Sequence, residues 1–165
     1  IGQLKKIFGE DVPSGTIREA ARLLAERTDE PDRGIQLVEI AGGYQFLTRE
    51  MFAPLLQKLG RAQRKERLST AAIETLSVVA YKQPVTRAEV DAIRGVSSGP
   101  LLRTLMDVKL VKVTGRADLP GAPFQYGTTR RFLQHFGLKS PKDLPNPKEA
   151  AKLLAERDAG REAAE

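Results

Sequence analysis

Residues 68–95 read LSTAAIETLSVVAYKQPVTRAEVDAIRG, and the fold is decided there. Ile73, Leu76, Val79 and Ala80 recur at helical spacing behind Ser69 or Thr70, either of which can cap a helix, so a helix is expected over Leu68–Lys82. Gln83-Pro84 stops it, because proline offers no N–H to continue the ladder. Thr86 then caps a second helix, and Glu89 three residues on completes a capping box. Val90 and Ile93 supply its inward face, and Gly95 ends it.

Downstream, Ser97-Ser98-Gly99-Pro100 opens a third helix with proline suited to the first turn and with Leu101, Leu102, Leu105 and Met106 facing inward. After Asp107 the period changes. Leu110, Val111 and Val113 form a β-type run to Thr114-Gly115, Ala117–Pro123 is a turn-rich loop, and Phe124, Tyr126 and Gly127 make the return strand. Thr129 caps a last helix holding Phe132, Leu133 and Phe136. Three helices, a strand, a loop and a strand are the winged helix-turn-helix order.

Upstream, the same order is expected in a less complete form. Leu4, Ile7 and Phe8 make a short helical piece ending at Gly9, and Ser14 caps a helix carrying Ile17, Ala20, Ala21 and Leu24. Ile35–Ile40 and Tyr44–Thr48 are strands around a tight Gly42-Gly43 turn, and Arg49–Leu59 is helical. One opening helix is missing from this copy, as in a chain that starts inside a first winged-helix domain. The expectation is therefore an α+β fold of two tandem winged helix-turn-helix domains, residues 1–60 and 68–141. A basic linker at 61–67 (RAQRKER) joins them, and a partly helical tail follows at 142–165.

Composition removes whole classes of chemistry. The 165 residues include one histidine and no cysteine, which excludes disulfides, a thiol nucleophile and thiolate zinc sites. His135 stands beside Arg131, Gln134 and Phe136, with no nucleophile and carboxylate pattern to make it a triad base, so it reads as a surface or helix-end histidine. Gly42-Gly43 lacks the spacing of a phosphate-cradling loop. No catalytic residue, metal or cofactor is expected. No apolar run approaches the ~18–20 residues that span a bilayer, which points to a cytoplasmic protein. The net charge of +6 comes from 27 basic and 21 acidic residues and is uneven: −1 over 1–60, +3 over 61–67, +5 over 68–141 and −1 over 142–165.

Two kinds of surface follow. Tyr81, Lys82, Arg87 and Arg94 around the helix-turn-helix, with Leu119 at the loop tip, are candidates for binding an acidic or amphipathic partner helix. Turn chemistry alone accounts for Asp118–Gly121, and Tyr81 has the competing role of packing under the hairpin. Arg61, Arg64, Lys65, Arg67, Arg130 and Arg131 are the weaker candidates, for non-specific nucleic-acid contact. Base reading is disfavoured. The third helix begins Pro100-Leu101-Leu102, and its polar residues are only Arg103, Thr104, Asp107 and Lys109.

The stretch LSVVAYKQPVTRAEVDAIRG (76–95) resembles the helix-turn-helix of the segregation and condensation protein B family. The stretches LLRTLMDVKLVKVTGRADLPGAPFQYGTT (101–129), FLQHFGLKSPKDLP (132–145) and GIQLVEIAGGYQFLT (34–48) extend the likeness across roughly residues 4 to 145. The resemblance implies a non-enzymatic adaptor of the bacterial Smc complex, acting in chromosome condensation and partition before cell division. It implies a homodimer formed through residues 1–60 that binds the kleisin subunit ScpA and, through it, the Smc ATPase heads. Such a protein is nucleoid-associated. The alternative from another class is a winged-helix DNA-binding transcriptional regulator.

Overall fold

Ser69 accepts a hydrogen bond from the Ala72 N–H at 3.3 Å, and α4 (Thr70–Lys82) follows from that cap. This is the fixed point of the computed structural model, which describes residues 1–9, 11–30, 32–59 and 68–146. Thr86 caps α5 (Arg87–Arg94) through the reciprocal box with Glu89, and Gly95 ends it at φ 71°. Pro100 sits in the first turn of α6 (Gly99–Asp107). Elements β4 (Val111–Arg116) and β5 (Phe124–Thr128) make the expected hairpin, and Thr129 caps α7 (Arg130–Phe136) through the Phe132 N–H.

Between α4 and α5 lies a two-residue strand, β3 (Val85–Thr86), that the sequence did not announce. It pairs antiparallel with β5, Val85 opposite Tyr126, giving a three-stranded sheet in the order β3-β5-β4. Two residues are too short for a periodicity signal; the strand exists because β5 arrives from forty residues away. A β-bulge at Val113/Gly115 interrupts the β4–β5 register. Leu76, Val79, Val90, Leu102 and Leu105 are sealed at the centre, with Ala72, Ala80, Val85, Leu110, Val111 and Phe132 around them.

Gln83 ties α4 to the sheet. Its carboxamide donates to Ala80 O and accepts from both the Thr128 N–H at 2.8 Å and the Thr128 hydroxyl at 2.9 Å. Glycine at 127 makes room for it, since a Cβ there would lie 2.8 Å from Thr114 Cγ2 and 3.1 Å from Gln83 Oε1.

The first part comprises α1 (Gly2–Phe8), α2 (Ser14–Thr28), β1 (Ile35–Ile40), β2 (Gly43–Thr48), a 3-10 turn (Glu50–Phe52) and α3 (Ala53–Lys58). Three expectations need correction. Pro13, not Ser14, holds the cap position of α2, and Ser14 is already helical. The tight turn is Ala41-Gly42, with φ 52° and 67°, so the hairpin turns one residue earlier and Gly43 begins β2. Both central residues of a two-residue turn of this hand need positive φ, and an alanine there hid the turn. The helix expected over 49–59 begins as a 3-10 turn, because Arg49 stands outside it. Its guanidinium instead binds the carbonyls of Thr28, Glu30 and Arg33 and the Asp29 carboxylate, closing the loop after α2.

The two parts meet at the hairpin. The Ala41 N–H donates to Leu138 O at 2.8 Å and the Gly42 N–H to Lys139 O at 3.1 Å, with Lys139 and Glu39 paired at 3.8 Å beside them. The expected linker at 61–67 lies outside the described residues, as does the tail from 147 onward. Before it, Ser140 and Asp143 cap a 3-10 turn over Pro141–Asp143. The whole is a mixed α+β chain. Among the described residues no helix is long and apolar enough to cross a membrane.

Candidate partner-binding surface

The last turn of α4 presents Tyr81 and Lys82. Tyr81 is 39% exposed, and its hydroxyl donates to Pro145 O at 2.6 Å. The ring therefore leans toward the segment after α7 instead of packing under the hairpin. It forms one wall of an apolar groove of about 290 Å³, shared with Ile73, Phe136, Leu138, Leu144 and Pro145. Ile73 and Phe136 are both about half exposed in it. Lys82 is exposed at the rim.

Arg87 opens α5 and pairs with Asp91 at 3.4 Å. Its guanidinium lies 3.2–3.4 Å from where a Cβ on residue 99 would stand, so glycine at 99 lets α6 start against it. Asp91 also accepts the Ser98 N–H at 2.6 Å, and that bond, helped by Arg87, holds its carboxyl below the usual range. Glu89 is held down likewise by the Thr86 N–H and hydroxyl. These carboxylates fix the start of α5 and the turn from α5 into α6.

Arg94 is placed differently from the sequence expectation. Its side chain is 8% exposed, pairs with Glu74 of α4 at 3.0 Å, and leaves Nε and Nη1 buried without a hydrogen-bond partner among the described residues. It braces α5 on α4 and offers no open guanidinium. Leu119 is 55% exposed at the tip of the β4–β5 loop, which Ala122 N–H to Leu119 O and Ala117 N–H to Pro123 O close at 2.8 Å each. Below the tip, Arg116 stacks 4.2 Å over the Phe124 ring and donates to Ala122 O. Among the described residues, no hydrogen bond links Leu119 to the other four candidates.

Of the weaker candidates, Arg61, Arg64, Lys65 and Arg67 lie outside the described residues, while Arg130 and Arg131 are exposed at the start of α7. His135 is exposed near the end of α7, edge-on to Phe136 at 5.0 Å. No cluster of metal-binding side chains occurs among the described residues.

Two features escaped sequence reasoning. The α4–α7 groove needs Leu138, Leu144 and Pro145 to return across α4, and the tyrosine at 81 carried no sign of that. In the first part, Leu4, Phe8, Leu24, Leu37 and Phe46 belong to the apolar spacing of their helices and strands, yet with buried Ile17 they line an open apolar groove of about 470 Å³. Their helical and alternating spacing was the available signal; its incomplete cover was not.

Comparison with known proteins closes the case for a family. A family model described as segregation and condensation complex subunit ScpB matches residues 1–147. The segregation and condensation protein B of Syntrophotalea carbinolica is 47% identical over 142 residues, covering 84% of this chain and 72% of that protein. That of Clostridium tetani is 50% identical over 126 residues, 76% of this chain and 67% of the relative. A crystal structure of ScpB from Mycobacterium tuberculosis is 36% identical, covering 78% of this chain and 80% of that one at a TM-score of 0.43. On the family match and the near-half identity of these relatives, the chain belongs to the ScpB family of segregation and condensation complex subunits.

Proposed function

We propose that this chain is a non-enzymatic adaptor in chromosome segregation and condensation. In this reading it is built as two tandem winged-helix domains, 1–60 and 68–141, that dimerise through the first and bind the kleisin ScpA, which joins them to the Smc ATPase heads. It works in the cytoplasm, at the nucleoid. The observation that carries the reading is the α4–α7 groove, where Ile73, Tyr81 and Phe136 stand half exposed in a chain of this family. Such a groove suits the apolar face of a helix, with Lys82 on its rim. The dimer is supported by the open apolar face of the first part and its near-neutral charge, which spares a two-fold interface from like-charge repulsion.

The runner-up, a DNA-binding regulator, has less to stand on. The exposed face of α6 presents Pro100, Arg103, Thr104 and Asp107, without the amides and paired cations that read base edges.

Co-purification with a kleisin fragment, followed by mass determination, tests the adaptor reading; absence of a complex overturns it. Titration calorimetry then locates the surface. Tyr81→Ala and Leu119→Ala should each weaken kleisin binding by about 1–3 kcal/mol, as truncation of an anchor does. A thermal melt must accompany Tyr81→Ala, since that change also removes the bond to Pro145. Parental affinity in both variants, with folding intact, would move the partner surface to the first part.

A further inference from the structure

From Arg103 to Arg131 the chain carries six cations, Arg103, Lys109, Lys112, Arg116, Arg130 and Arg131, against two carboxylates, Asp107 and Asp118. All six cations are exposed, and none enters an ion pair among the described residues. Elsewhere among the described residues Arg22, Arg33, Arg49, Arg87, Arg94 and Lys139 are each paired with a carboxylate, while Lys5, Lys6, Arg18, Arg27, Lys58, Lys82 and Lys142 are not. What sets this stretch apart is the gathering of its cations. The backbone gathers four of the six. Thr129 donates its N–H to Leu110 O at 3.2 Å and its hydroxyl to Lys109 O at 2.6 Å, which sets the start of α7 beside the α6–β4 turn. Lys112 stands opposite Gly127 on the adjoining ladder. Lys109, Lys112, Arg130 and Arg131 thus surround one crossing point. Arg116 is engaged with Phe124, and Arg103 sits farther back on α6.

Two features show charge collecting there against the preferences of the fold. Lys109 has φ 61°, a left-handed conformation that glycine adopts without strain and lysine does not. Arg130 and Arg131 occupy the first turn of α7 with no carboxylate in it, at the helix end where positive charge is least at ease. Local rules broken twice toward the same charge are a sign of use.

We propose that Lys109, Lys112, Arg130 and Arg131 form a patch that grips the phosphate backbone of duplex DNA without reading its sequence. Phosphate contact needs only cations within reach, and base-reading side chains are missing from α6. A protein partner is less suited to the patch. Leu110, Val111 and Phe132 beside it are buried, and Val113 next to Lys112 is the exposed apolar side chain in that stretch of β4, which gives a protein interface little to anchor on. The patch shares no residue with the α4–α7 groove and does not depend on the adaptor reading.

The test uses fluorescence anisotropy of a labelled mixed-sequence duplex with the full chain across a salt series. The variant is Lys109→Gly, Lys112→Gln and Arg131→Gln together; Lys109→Gly relaxes the backbone, so lost binding cannot be put down to lost folding. Arg130 is left in place, because its Nη2 lies against Gly43. The parent should bind at low salt, with log affinity falling against log salt at a slope of about −3 to −4 for four contacts. The triple variant should lose about 3 from that slope, which at about 0.1 M salt corresponds to roughly 500-fold weaker binding. A control, Lys5→Gln, Lys6→Gln and Lys58→Gln, removes equal charge from the first part and should change affinity by less than about twofold. Three results overturn the proposal: no parental binding at low salt, an equal loss in the control, or displacement of the duplex by poly-glutamate as readily as by unlabelled DNA.

Discussion

In residues 68–146, Val79, Val90 and Leu105 have no exposed surface, and a ring of apolar neighbours closes around them. Among the described residues of 1–59, the buried apolar side chains are Ile17, Ile40 and Ala41, while Ile7, Phe8, Phe46, Met51 and Leu55 are more than half exposed. Both parts are patterned for burial, helices at 3.6 and strands at 2. Pattern decides which face of an element is apolar; only neighbouring elements decide whether that face is covered. The first part thus leaves most of its large apolar side chains uncovered, whereas the second closes a core and leaves the α4–α7 groove open beside it.

That contrast can be broken most directly in the core. Leu105→Ala should cost about 2–5 kcal/mol in denaturant unfolding, because the surrounding side chains leave a cavity in its place. An equally small loss at Leu105 and at half-exposed Leu55 would mean that the second part is no better packed than the first.

A smaller effect is expected at the joint of α4 and α5. Thr86→Ala removes the oxygen that accepts the Glu89 N–H and the hydroxyl that donates to its carboxylate, and should cost about 1–2 kcal/mol. Amide exchange should quicken in α5 and leave α2 unchanged.

The smallest effect sharpens the comparison through pH. Glu89 and Asp91 bind protons less readily folded than unfolded, so the stability they confer is complete above their ordinary values near ~4. It declines as pH falls through their lower folded values. Acid melts of the parent should show this decline in the second part, and Asp91→Asn should flatten it. An Asp91→Asn curve parallel to the parent's would show that the Ser98 N–H bond carries no pH dependence.

How far the sequence could be read follows from the range of each interaction. Thr86-Glu89, Gly95, Pro100 and Thr129 act within four residues of themselves, and each sits where local chemistry puts it. β3 depends on Tyr126, the Tyr81 hydroxyl on Pro145, and Arg94 on Glu74, twenty to sixty-four residues distant. The candidate surface suffered most from this. Arg94 reads as a surface residue beside Tyr81, Lys82 and Arg87, but its side chain is turned onto Glu74 of α4. Lys109 was counted among the polar residues of the third helix, and nothing in its neighbours disclosed a left-handed backbone.

The hairpin turn carries a further lesson about what mutagenesis can see. Its hold on the second part is made by two main-chain amides, Ala41 and Gly42, on two main-chain carbonyls. Deleting side chains by alanine scanning does not isolate such a contact: position 41 is already alanine, and Gly42→Ala retains its amide while straining the backbone at φ 67°, so any loss reports the turn and not the bond. Salt weakens only the exposed Glu39–Lys139 pair beside it. The joint can therefore persist through extensive drift of its side chains while no scan isolates it. Chemistry that edits the backbone itself, such as an ester in place of the amide at 41 or 42, would make it audible.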